Sequence, residues 1–302
     1  MWLEKVNNLR GIIIDPNFFI VGAPKSGTTN ISYYLKLSKH VFMPYNLEPY
    51  YFARLDIPKK YQREIITGKK KYLDLFKKAK FHKAVGESSP VYLYCPHSAE
   101  EIKKEYPNSK IIISLRNPIE ITYSQYYSLK FMNFNNQKDF SQIIDIDEKR
   151  IKNKEFFIDS VLEAGFYSKH IKKFQSFFPK ENLKIIVFEE YIKNIEPTIN
   201  SILRFLNIDE PIEYQEQPKG AYKTPKNFFG KLILENSIVR KTAQHIIPTE
   251  SRQKFGERFL VKETNKPPLN NSERNRLKKI FDDEVKNLEI LLGAKLPWPD
   301  FN

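Results

Sequence analysis

The chain has 302 residues, 41% of them hydrophobic, which suffices for one large α/β domain. Its net charge of +14 suits an anionic partner (nucleotide, acidic glycan, nucleic acid or membrane surface), but its lysines are spread along the chain and read equally well as a solvated surface. A single cysteine, Cys95, excludes an internal disulfide framework, and the apolar stretch Gly11 to Ile14 is too short for a signal segment or a membrane span, so a soluble cytoplasmic protein is expected.

The first β-type run, Asn17 to Val21, leads into Gly22-Ala23-Pro24-Lys25-Ser26-Gly27-Thr28-Thr29, and an amphipathic pattern then predicts a helix over Thr28 to Leu37. Strand, glycine-bounded loop and helix, with G-x-x-x-x-G spacing, form a phosphate cradle of backbone N–H groups and a helix N-terminus. A nucleotide kinase or ATPase carries Lys directly after the second Gly. Here Thr28 stands there, and the one loop lysine, Lys25, lies two residues before Gly27. The cation is therefore aimed at a different atom.

A second strand is predicted over Lys83 to Gly86, and a helix over Ser98 to Tyr106 with Ser98 as N-cap and Glu101 completing a capping box. A third strand, Lys110 to Leu115, runs into Arg116-Asn117-Pro118, and the helix Glu120 to Leu129 then carries Ser124. A strand-end Arg and a Ser two turns into the next helix can converge on one anion. Further on, Ser160 to Phe178 and Ile195 to Leu206 read as helices around a strand at Leu183 to Phe188, and Ser272 to Leu292 closes the chain as a helix. Thr224 to Pro268, punctuated by prolines, reads as short helices and loops covering the open end of the sheet on the acceptor side. Strands alternating with helices predict an α/β fold: one P-loop-like domain over residues 1–302, with a central parallel sheet flanked by helices and the ligand at the strand carboxyl ends. Two phosphate sites at neighbouring strand ends point to a nucleotide phosphorylated at both ends.

On these motifs the chain resembles the sulfotransferases. Pro24-Lys25-Ser26-Gly27-Thr28-Thr29 is similar to their 5′-phosphosulfate loop, and Arg116-Asn117-Pro118 with Ser124 to their 3′-phosphate motif. The heparan-sulfate-type and related bacterial branch fits best. Glu48-Pro49-Tyr50-Tyr51-Phe52 resembles its segment with the catalytic Glu, and Gly86-Glu87-Ser88-Ser89-Pro90 with Tyr92 its G-E-x-S-P-x-Y stretch. Gly165-Phe166-Tyr167, Lys184 to Tyr191, Lys219-Gly220-Ala221-Tyr222 and the ending Leu288 to Trp298 match it as well. The chain departs from that branch at Ser88, where a Lys that contacts glycan often stands, and at Ile121, often Arg.

The resemblance implies 3′-phosphoadenosine 5′-phosphosulfate (PAPS) as donor, 3′-phosphoadenosine 5′-phosphate (PAP) as product and no metal. Neither an Asp pair nor a His/Cys set in the sequence has metal-ligand spacing. It implies that Pro24, Lys25, Ser26, Gly27, Thr28 and Thr29 hold the 5′ end of the donor, and Arg116 and Ser124 the 3′-phosphate. Lys219, Gly220 and Tyr222 close over the donor. Lys25 then stabilises the phosphate–sulfate bridging oxygen and Glu48 is the base. Glu87 is a rival base or a brace for the loops, and the scattered His40, His82, His97, His170 and His245 lie in no motif. Tyr50, Tyr51 and Tyr92 are read either as lining the acceptor cleft or as core. A hydroxyl or amine acceptor is implied, first a carbohydrate, with a lipid-linked or small-molecule alcohol close behind. A P-loop nucleotide or small-molecule kinase and a non-catalytic polyanion binder stay open beside this reading.

Overall fold

A computed structural model of the chain describes residues 15–45, 48–58, 65–131, 138–213, 222–225, 261–264 and 266–302. Five strands form one parallel sheet: β1 (Phe18–Gly22), β2 (Val41–Phe42), β3 (Ala84–Ser88), β4 (Lys110–Leu115) and β5 (Leu183–Val187), in the order β2-β3-β1-β4-β5. β1 lies between β3 and β4. The chain leaves it toward one side of the sheet and later returns to the other, so a crevice opens at its carboxyl end.

The burial of the central strands follows from the apolar runs. Every residue of β1 is buried, because helices cover both faces. Alternation along β1 divides the core. Phe19 and Val21 join Ile111 and Ile113 of β4 beneath Tyr92, Phe174 and Trp298. Phe18 and Ile20 join Ile112 on the other face, against Ile31 and Tyr34 of α1 (Thr28–Leu35) and Ile202 of α8 (Ile195–Phe205). Each such side chain contributes about 1.5–3 kcal/mol on burial. A third cluster joins α4 (Pro118–Phe131), α5 (Phe140–Lys152) and the last helix, α9 (Asn271–Leu292), through Ile119, Tyr126, Ile144, Leu277 and Phe281. The other α-helices among the described residues are α2 (Lys69–Asp74), α3 (Ser98–Glu105), α6 (Tyr167–Phe177) and the single turn α7 (Phe188–Tyr191).

Three expectations are corrected. Ser98 is the first helical residue of α3 rather than its cap. Its hydroxyl donates to the carbonyls of Tyr92 and Cys95, and the N-cap His97 makes no side-chain cap. The capping box belongs to α5, where Asp139 and Gln142 satisfy each other's backbone N–H. The helix expected over Ser160 to Phe178 starts only at Tyr167. Before it, the buried Asp147 carboxylate accepts from Ser160 Oγ (2.8 Å) and from the N–H of Val161 (2.6 Å) and Leu162 (3.2 Å), holding that segment out of the helix. Within the stretch expected as short helices and loops, 224–225 and 261–264 belong to a strand pair: β6 (Tyr222–Pro225) lies antiparallel to β7 (Val261–Thr264). β2, at two residues, is too short to show a period in the sequence.

Candidate active site

The loop between β1 and α1 is shaped by its neighbour β4. Ala23 N–H donates to the Ser114 carbonyl (2.7 Å), and Ser114 Oγ donates back to the Ser26 carbonyl (2.6 Å). Gly27 is the N-cap of α1 at φ 80°, and a Cβ there would lie 2.8 Å from the Phe188 ring, so conformation and space both require glycine. Without a side chain, Gly27 caps none of the first-turn N–H groups of α1, which makes that helix end an anion cradle. Pro24, Ser26 and Thr28 are buried and Thr29 is exposed at its edge. Lys25 sits at φ 62°, an unfavourable region for a residue with a Cβ, of the sort that functional loops retain.

Arg116, just past β4, meets this loop directly. Its guanidinium donates to the Lys25 carbonyl (3.0 Å) and lies 4.8 Å over the Phe188 ring. Its own carbonyl accepts from the Tyr167 hydroxyl (2.7 Å). Ser124, two turns into α4, is buried, and its Oγ accepts from Lys266 Nζ (2.8 Å). Desolvation first, then Arg116 and Lys25, push the Lys266 ammonium down to about 8, against the pull of Glu120. Lys25 is lowered as well, by desolvation and by Arg116, with Glu48 opposing. Two lysines whose charge is disfavoured beside Arg116 are matched to a multiply charged anion. The reading of the sequence did not single out Lys266. It lies beside two prolines in an aperiodic stretch and comes to Ser124 through tertiary folding.

Glu48 lies close enough to Lys25 for their charges to act on each other. Burial raises its carboxyl, opposed by a hydrogen bond donated by the Tyr50 hydroxyl to Oε2 and by the charge of Lys25. Tyr50 is also left-handed, at φ 54°. Behind it lies a wholly buried network. Glu87 accepts from Ser89 Oγ (2.8 Å), Tyr92 OH (2.8 Å) and Tyr72 OH (3.3 Å). Ser89 Oγ and Tyr92 OH in turn accept the N–H groups of Tyr50 and Phe52, both at 3.2 Å. Burial pushes the Glu87 carboxyl up to about 8, against the pull of its three hydroxyl donors. Glu87 therefore braces the Glu48 segment through two hydroxyls. Tyr92 and Tyr51 lie in the core instead of lining an acceptor cleft: Tyr92 is spent on Glu87, and Tyr51 stacks on Tyr72 at 4.3 Å. Tyr50 remains half-buried beside Glu48.

His40 pairs with Glu210, His97 with Asp56 and His170 with Glu163. Lys219, Gly220 and His245 lie outside the described residues, and Tyr222 is placed only by its backbone, opposite Thr264 in the β6–β7 pair. Among the described residues no helix is long and apolar enough to cross a membrane.

Known proteins resemble this chain in sequence and in fold. A family model described as the sulfotransferase domain matches residues 15–289. The human carbohydrate sulfotransferase 15 is 24% identical over 260 residues, covering 67% of this chain and 45% of that protein. The bifunctional heparan sulfate N-deacetylase/N-sulfotransferase of Drosophila melanogaster is 24% identical over 239 residues, covering 73% of this chain and 22% of the relative. This chain thus spans less than half the length of either relative. The crystal structure of a sulfotransferase from Alicyclobacillus acidocaldarius superposes with a TM-score of 0.70 at 23% identity, covering 94% of this chain and 98% of that one. That likeness shows the shared fold.

Proposed function

The chain belongs to the sulfotransferase family, and from that premise we propose that it moves a sulfuryl group from 3′-phosphoadenosine 5′-phosphosulfate to a hydroxyl or amine of a carbohydrate. The observation that carries this reading is the contact of the Arg116 guanidinium with the Lys25 carbonyl and of Lys266 with Ser124, past the ends of β1 and β4, with Glu48 acting on Lys25.

The residues fit the donor. The N-terminus of α1, with Gly27, Thr28 and Thr29, would hold the 5′-phosphate, and Arg116, Ser124 and Lys266 the 3′-phosphate. When bound, the donor supplies the sulfuryl group and a phosphate leaving group. Glu48 takes the proton from the acceptor as its oxygen or nitrogen bonds to sulfur. Lys25 carries the negative charge that collects on the bridging oxygen as its bond to sulfur breaks. The left-handed Lys25 and the hydroxyl of Tyr50 keep both groups on station before the acceptor arrives. A carbohydrate acceptor is supported by the human relative's name, carbohydrate sulfotransferase 15, and by the heparan sulfate relative.

The test is transfer of labelled sulfate from the donor onto a panel of glycans, amino sugars and simple alcohols, with Glu48→Gln as control. Transfer to glycans by wild type alone supports the reading. Label passing only to non-carbohydrate alcohols would overturn the acceptor class. Tight binding of ATP·Mg²⁺ with none of PAP would overturn the donor.

A further inference from the structure

Arg116 sits on a loop that is itself held by a part of the chain far away in sequence. Glu189, in α7, uses both carboxylate oxygens: Oε1 accepts from the Asn117 N–H (3.0 Å), and Oε2 from the Trp298 indole N–H (2.8 Å). Trp298 is fully buried against Tyr167, whose hydroxyl holds the Arg116 carbonyl. Asn117 Nδ2 donates to Asp300 (2.8 Å). Arg274 of α9 grips Asp300 through one nitrogen (2.8 and 2.9 Å) and, through the other, Glu120 in the first turn of the helix that carries Ser124 (2.6 Å). Phe188, next to Glu189, is the ring under the Arg116 guanidinium.

We propose that Glu189 is a positioning residue for the 3′-phosphate end: by joining the Asn117 amide to the Trp298 indole, it fixes Arg116 and so sets how strongly the site prefers a nucleotide that carries a 3′-phosphate. This rests on the reading of Arg116 and Ser124 given above. A carboxylate suits the place because both groups facing it are donors. In Glu189→Gln, the amide NH₂ must face one of those N–H groups, and that contact is lost.

The experiment is calorimetric measurement of Kd for PAP and for adenosine 5′-phosphate, on wild type, Glu189→Gln, Trp298→Phe and the exposed neighbour variant Glu190→Gln, each checked by circular dichroism and Tm. Wild type prefers PAP. In Glu189→Gln that preference falls about tenfold, while Kd for adenosine 5′-phosphate stays within about twofold, as expected when one arm of a charged clamp loses its alignment. Trp298→Phe, which keeps the ring and removes the indole N–H, moves the ratio in the same direction and stands in if Glu189→Gln fails to fold. Glu190→Gln leaves it unchanged. A preference for PAP that survives intact in both folded variants overturns this inference alone. A wild type that binds the two nucleotides equally overturns the two-phosphate reading, and this inference with it.

Discussion

The two ends of the proposed donor site are built in opposite ways. The 5′ end is local: Pro24 to Thr29 is one uninterrupted loop and helix start, shaped by glycine and by two bonds to Ser114. The 3′ end is assembled from Arg116, Ser124 and Lys266, with Tyr167, Glu189, Trp298 and Asp300 behind them. A phosphate that backbone N–H groups can hold needs only a short loop. One held by side-chain cations needs each of them kept from its neighbours' repulsion, and that takes anchors from many elements.

The contrast breaks most clearly on Lys25. Lys25→Ala is expected to slow sulfate transfer by about 10²–10³-fold with little change in PAP affinity, measured as single-turnover rates beside calorimetry. A rate near that of wild type would end the proposal that the 5′ end does the chemistry. Arg116→Ala should do the reverse. PAP affinity falls about 10²-fold while that for adenosine 5′-phosphate is nearly unchanged, and equal losses for both nucleotides would mean that the two ends are not separate. Lys266→Ala should weaken PAP by roughly tenfold. Combined with Ser124→Ala, the loss should be less than additive because the two side chains touch. Strict additivity in binding assays would separate them.

Two smaller effects concern the base side. The Tyr50 hydroxyl bond lowers the Glu48 carboxyl, so Tyr50→Phe should raise it, and the acid limb of kcat/KM against pH should move to higher pH. An unmoved limb would remove Tyr50 from the site's electrostatics. Glu87 is raised in the fold to about 8, so the folded state binds more protons than the unfolded chain between the ordinary Glu range and about 8. Its contribution is fully present below that ordinary range and lost as pH rises through 8. Glu87→Gln should therefore flatten the fall of Tm between pH 5.5 and 8, by scanning calorimetry, on the order of a few degrees. An unchanged slope would show that Glu87 is not held protonated.

Where the candidate site is built from contiguous residues, the sequence was legible. The spacing of Gly22 and Gly27, the displaced Lys25 and the apolar runs of β1 and β4 named the parallel sheet and the 5′ loop. Arg116 and Ser124 were legible as a pair because one strand end and one helix carry both. Lys266 was not, since nothing local marks a lysine before two prolines. Nor could period alone show that Glu87 turns inward to hydroxyls, that Tyr51 and Tyr92 are spent on packing, or that Ser98 bonds backward and leaves its helix uncapped.

By itself, then, the sequence determined the loop that cradles a phosphate and the strands that present it, because both depend on neighbours a few residues apart. The tertiary structure decided which distant groups surround that cradle. It brought Lys266 to Ser124, Glu48 to Lys25 and Trp298 to Glu189, because charges and hydrogen-bond donors are matched by distance in space, which no spacing along the chain records.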